Sequence, residues 1–172
     1  MLDPVKILKD RARALHAAIR DGNEAALAEI RRLREFRGAG RAEIAGNVQR
    51  RHCLALLARR TGFDGWPHAL QVLDGRRDDD FGRLLCPGRC MAHINIWSAD
   101  YAEARSIRVV HGGTLLAYRR QYLIVEDGYL RTLGLAPEDP DWNGIDRDWV
   151  RPADPAARRR LYGKLIQSTL GH

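Results

Sequence analysis

In the first seventy-odd positions the apolar residues recur three and four apart, a spacing that demands a packed set of amphipathic helices. From Asp3 to about Ile19 the stripe runs Val5, Leu8, Ala12, Leu15 and Ile19, with Asp3 placed as the cap and Pro4 as the first helical residue. Asp21-Gly22-Asn23 interrupts it, and Asn23 heads a second helix carrying Ala26, Leu27, Ile30 and Leu33. After Gly38-Ala39-Gly40 the spacing predicts one longer helix over about Ala42 to Arg60, with Ala45, Val48, His52 and Leu56 in one row. Gly62 suits a left-handed helix end, and Trp66-Pro67 opens a short helix on which Trp66, Ala69, Leu70 and Leu73 share a face. Residues 1–74 therefore read as a four-helix module.

The pattern then changes. Asp74 to Asp80 is an unbroken run of turn and charged residues, so residues 75–82 are expected to be a linker, with Asp78 to Asp80 a solvated charge run. Residues 83–172 mix strands with helices, beginning with a strand over Met91 to Trp97 and a helix over Asp100 to Val110 opened by an Asp100/Glu103 capping pair. Thr114 to Tyr118 and Gln121 to Glu126 are β-rich, either as a hairpin turning at Arg119-Arg120 or as one long bent strand. A short helix over Gly128 to Leu133, an irregular arm anchored by Trp142 and Trp149, and a final helix from about Pro155 to Leu170 complete the chain. The expected fold class is α+β: an N-terminal helical bundle followed by a small mixed α/β unit with a short sheet.

Two strings in the first half carry a resemblance. LHAAIRDGNEAAL, at Leu15 to Leu27, resembles the helix-turn-helix opening of an ankyrin repeat, and LLARRTGFDGWPHAL, at Leu56 to Leu70, resembles a small helical region that precedes ankyrin repeats in bacterial proteins. The likeness covers about residues 4–74, and it departs from the family in that no repeat of about 33 residues and no Thr-Pro-Leu-His follows. It implies a helical packing module for protein contact and no catalytic residue.

Charge narrows the class of partner. The formal net charge is +7, and residues 1–77 hold all of it, with 16 Lys and Arg against 9 Asp and Glu, while residues 78–172 hold 13 of each. A localised positive field favours anionic partners and nonspecific phosphate contacts. The candidate anion- or partner-binding residues are Arg31, Arg32, Arg50, Arg51, Arg59 and Arg60 in the helical half and Arg119, Arg120 and Arg158 beyond it. Of the 29 basic residues 26 are Arg, whose long stems also cover apolar helix surface. Arg158-Arg159-Arg160 opens the last helix, where cations oppose the macrodipole. Tyr118, Arg119, Arg120 and Tyr122 form an aromatic and basic cluster of the kind that stacks single-stranded nucleic acid, although strand alternation places Tyr118, Arg120 and Tyr122 on one side and Arg119 on the other, the pattern of a packed aromatic face with Arg at its rim. Residues 48–73 could also be cast as a DNA-reading helix-turn-helix, although Pro67, Trp66 and Leu70 leave only side chains such as His68 and Gln71 to reach bases.

One constellation points to other chemistry. Cys86-Pro-Gly-Arg-Cys90-Met-Ala-His93 sets two thiols four apart and an imidazole three further on, a donor set that Zn²⁺ accepts if a fourth ligand, such as His111, Cys53, His52 or water, is supplied from elsewhere. Structural zinc knuckles place two residues between their cysteines, where this string has three. A redox pair is the second use of the same thiols, and two ordinary buried thiols the plain one. There is no Gly-rich phosphate loop in strand-to-helix order and no nucleophile signature. Three cysteines, no secretion signal and no apolar run of about 18 residues lead to the expectation of a cytoplasmic chain with no membrane partner. The leading reading is a noncatalytic interaction protein whose basic helical half binds another macromolecule, a protein or an anionic partner. Its rivals are a metal- or thiol-dependent enzyme or sensor at Cys86, Cys90 and His93, and a nucleic-acid-binding protein.

Overall fold

The computed structural model describes residues 2–171. Helix α1 (Pro4–Arg20) is capped by the Asp3 carboxylate, which accepts hydrogen bonds from the backbone N–H groups of Val5 and Lys6, and α2 (Glu24–Ile30) is capped by Asn23 in the same way. The single long helix expected after Gly40 is two: α3 (Arg41–Asn47) and α4 (Arg50–Arg60). Val48 and Gln49 take extended dihedrals between them, although Val48 stays buried and so preserves the apolar spacing across the break. Gln49 caps α4, and the Nδ1 of His52 accepts the Gln49 backbone N–H at 3.0 Å. His52 thus serves a capping box and is not simply a member of an apolar row. Helix α5 (Trp66–Leu73) closes the helical half.

The second half carries a three-stranded antiparallel sheet in the order β1-β3-β2, made of β1 (Ile96–Ser98), β2 (Thr114–Tyr118) and β3 (Gln121–Val125). The strand expected over Met91 to Trp97 is therefore shorter and later: only Ile96 to Ser98 find partners, in Ile124, Leu123 and Tyr122. Of the two β arrangements the hairpin is the one present, with Arg119 at φ +52° in its turn. Its register pairs Tyr118 with Gln121 and Ala117 with Tyr122, so Tyr118 and Tyr122 project from opposite faces of the sheet. Helix α6 (Tyr101–His111) covers the Tyr122 face, its Tyr101 ring edge-on to Tyr122. Helix α7 (Asp127–Leu133), the one-turn α8 (Asp141–Gly144) and the long α9 (Pro155–Gly171) follow.

One contiguous core runs through both halves. Helix α1 packs against α4 on one side and α9 on the other, and the Arg159 guanidinium on α9 reaches both Asp3 and Asp74 at 3.0 Å. Trp142 and Trp149 of the irregular arm form a buried aromatic cluster with Tyr162 of α9, the Trp149 and Tyr162 rings meeting edge to face. Within the stretch 75–82 Phe81 is buried, and His68 on α5 ties the stretch down by donating from Nε2 to the Asp80 carbonyl at 3.0 Å. Among the described residues no helix is long and apolar enough to cross a membrane.

Candidate anion-binding cleft

Helix α4 ends on Arg59 and Arg60, and its last carbonyls are satisfied from within. Thr61 Oγ1 donates to Leu57 O and Ala58 O, Gly62 N to Arg59 O, and Phe63 N to Ala58 O. Gly62 turns left-handed at φ +94°, which carries the chain back beneath α4 and lays its carbonyl against a second segment, residues 81–84. Arg83 N donates to Gly62 O at 2.8 Å, while Phe81 N donates to Arg119 O at 2.9 Å and Arg119 N to Gly82 O at 2.7 Å. The turn after α4, the 81–84 segment and the β2–β3 turn are thereby stacked backbone on backbone. No side chain fits between them: a Cβ at Gly62 would lie 2.8 Å from Leu84 N, and one at Gly82 would lie 2.9 Å from Gly62 O.

This stack is one wall of an open hollow of about 430 Å³ at the junction of the helices and the sheet. Among the described residues four guanidinium-bearing side chains line it, Arg59, Arg60, Arg83 and Arg89, and no carboxylate side chain does. Tyr118, Met91 and the Cys86-Pro87-Gly88 turn supply its apolar surface, and Thr169 on α9 adds a buried hydroxyl oxygen with no hydrogen-bond partner among the described residues. The four arginines are not equivalent. Arg60 pairs with Glu29 at 3.0 Å, and Arg89 donates to the carbonyls of Thr132 and Leu133, where it closes the C-terminal end of α7. Arg59 and Arg83 are exposed and make no ion pair or side-chain hydrogen bond among the described residues. Two cations free to bind, held between two already engaged, form a site that attracts an anion with little rearrangement of the protein.

Of the nine arginines singled out in the sequence, the cleft gathers Arg59 and Arg60. Arg31 is half-buried and donates to Ala39 O, Arg32 lies 4.0 Å from Glu29, and Arg50 and Arg51 sit at the opposite end of α4 from the cleft. Arg119 and Arg120 line a second hollow of about 340 Å³ with Asp80 and Gln121, one residue along the chain from Tyr118. Arg158 donates to Trp149 O and Val150 O, Arg159 to Asp3 and Asp74, and Arg160 to Asp141, so the triplet that opposes the α9 dipole is engaged in holding the arm to the helix. Arg83 and Arg89 were not legible as site residues, because each stands alone in sequence and joins Arg59 and Arg60 only through the glycine-mediated stack. In α5 the ring of His68 is buried, with Nδ1 accepting from Asp64 N and Nε2 facing Asp80 O, so it does not present itself to bases as a DNA-reading helix would require.

The thiol and imidazole string does not assemble. Among the described residues no three His, Cys, Asp or Glu side chains are grouped to hold a metal ion. Cys86 and Cys90 are buried against Tyr129, whose hydroxyl donates to Leu85 O at 2.8 Å. His93 sets its ring edge-on to Tyr129 and its Nε2 2.9 Å from Thr132 Oγ1. His111 is exposed at the end of α6, in a different hollow with Glu126, Asp127 and Arg147. Burial pushes the Cys90 thiol above its ordinary value and the Cys53 thiol up to about 11, which keeps both protonated and poorly nucleophilic at neutral pH. Set against protein-family models, curated proteins and solved structures, the chain matches none.

Proposed function

We propose that this chain is a noncatalytic interaction protein that holds an anionic macromolecular partner in the cleft lined by Arg59, Arg60, Arg83 and Arg89. The observation that carries the reading is the charge of that lining: among the described residues, four guanidinium groups without a carboxylate side chain, two of them unpaired. Unpaired arginines clustered in a concave site lack an evident role in stability, and planar guanidinium donors match phosphate, sulfate and carboxylate groups. The openness of the hollow to solvent suits one segment of a long chain better than an enclosed metabolite. The resemblance of residues 4–74 to helical modules that accompany ankyrin repeats supports a contact role for the same half.

The test is charge reversal at the two unpaired positions. Wild-type protein is titrated against heparin as a generic polyanion across a salt series, beside the double variant Arg59→Glu/Arg83→Glu and the distant control Arg50→Glu/Arg51→Glu. Affinity is expected to fall linearly on a log scale with salt, by about 0.7 to 0.9 per phosphate-like contact. The cleft variant should bind at least tenfold more weakly with a slope shallower by one to two contacts. Equal losses in the two variants would reduce the cleft to a share of a diffuse positive surface.

A further inference from the structure

We infer that the partner seated in the arginine cleft is single-stranded nucleic acid, its phosphates on Arg59 and Arg83 and its bases on Trp97 and Tyr118; this rests on the anionic-partner reading above and specifies its chemistry. Trp97 is the one Trp whose ring is left widely open at the surface, 43% exposed, whereas Trp142 and Trp149 are buried. It stands on β1 opposite Leu123, which pairs with Leu116, so Trp97 and Tyr118 project from the same sheet face. Their rings meet edge to face at 5.9 Å and 89°. An edge-to-face pair covers one face of one ring only, Trp97 stays widely exposed, and Tyr118 itself lines the cleft. Met91, 69% exposed, adds a polarisable side chain beside Arg89 on the segment leading into β1.

Aromatic faces next to unpaired guanidinium groups are what unstacked bases and their phosphates need together. A Glu- or Asp-rich peptide or an inorganic polyphosphate uses only the cations, and a duplex hides its base faces. From Tyr118 the chain passes at once to Arg119 and Arg120, which line a second hollow, so further cations lie one and two residues from the ring. Asp80 is the one carboxylate lining that second hollow, and its Oδ1 is occupied by the Gly82 backbone N–H at 3.0 Å.

Binding is measured with an end-labelled oligothymidine of about ten nucleotides, the length range one such platform covers. The same strand annealed to its complement, an inorganic polyphosphate of matched charge and poly-glutamate serve as competitors. The expected result is that the single strand binds tightest and quenches the Trp97 fluorescence. Trp97→Val should weaken it about 5- to 150-fold while leaving polyphosphate competition unchanged. Trp97→Phe, which keeps a ring, should recover most of the loss and guards against a folding defect in the valine variant. Polyphosphate or poly-glutamate binding as tightly as the oligonucleotide, with both Trp97 variants indifferent, would overturn the nucleic-acid assignment and leave the anionic-partner reading standing. A preference for the duplex would also overturn it. Failure of every polyanion to bind would remove both.

Discussion

The stack of Gly62 on the 81–84 segment makes a demand that one methyl group can test. Gly82 is buried at φ +69°, and a Cβ there would lie 2.9 Å from Gly62 O and 3.1 Å from the Phe63 ring. Gly82→Ala therefore incurs about 1 kcal/mol for a left-handed backbone. It also forces apart a backbone contact that cannot rotate away, straining the 2.8 Å Arg83–Gly62 and 2.7 Å Arg119–Gly82 hydrogen bonds, each worth about 0.5 to 1.5 kcal/mol net. The total is about 3 kcal/mol. With an unfolding entropy of about 2.1 cal/mol/K per residue, a chain of this length should melt about 8 °C lower. The control is Gly46→Ala within α3, where nothing lies within 4 Å of the added Cβ and φ is not positive, so the variant should gain up to about 1 kcal/mol. Urea unfolding of both proteins decides it. A Gly82→Ala cost below about 1 kcal/mol, or equal shifts in the two variants, would mean that the seam yields easily and that Arg83 is not held against Arg59 by backbone geometry.

Two further outcomes follow from the ion pairs and caps. Burial alone would raise the Asp141 carboxyl, but hydrogen bonds from Arg160 and Lys164 outweigh it and hold the group below its ordinary value. That stabilisation is present above the unfolded carboxylate range and is lost as pH falls through the lowered value, so Asp141→Asn should flatten the acid limb of stability against pH; because Arg160 and Lys164 are about one-third exposed, its cost at neutral pH should be about 1.5 to 3 kcal/mol by urea titration. Burial first, and then the Arg51 cation, hold His52 below the ordinary 6.5 of an imidazole. The unfolded chain thus takes up the proton before the folded one does, and stability should decline as pH is lowered from above 6.5 through the folded value. His52→Gln, which keeps a capping-box side chain, should remove that component when the two proteins are unfolded in parallel across pH.

Legibility from sequence tracked the range of the interactions. Asp3 and Asn23 announced α1 and α2 because a cap acts on residues two and three positions away. The β2–β3 hairpin was one of two arrangements compatible with the sequence, since local alternation does not distinguish a turn from a bend; the choice is made by Phe81 and Gly82, which clasp Arg119 from almost forty positions away. The same clasp puts Tyr118 and Tyr122 on opposite faces and so removes Tyr122 from the aromatic and basic cluster that the spacing suggests. The α3–α4 break was hidden because Val48 is buried on schedule even though its backbone is extended: periodicity reports where a side chain goes, not whether the helix is continuous. His93 illustrates the converse. Its spacing from Cys86 and Cys90 suits a metal, yet Thr132, far along the chain, engages its Nε2.

The distribution of net charge acquires its meaning only once pairing is known. The second half is neutral in sum, and its acids are engaged: Asp127 meets Arg147, Glu138 meets Arg131, and Asp139 and Asp141 meet Lys164 and Arg160. Arg159 draws on Asp3 and Asp74 of the first half, while Asp79 of the second half returns one carboxylate to Arg77. What remains unbalanced is concentrated on the helical side, and the seam is where that surplus meets exposed aromatic rings. At physiological ionic strength fields fade within about 8 Å, so arginines scattered between the end of α2 and the start of α4 act singly while those brought into one hollow act together. Convergence is therefore the quantity that matters, and it explains why a charge count over residues 1–77 points to a kind of partner but leaves out Arg83 and Arg89, half of the arginines that line the cleft.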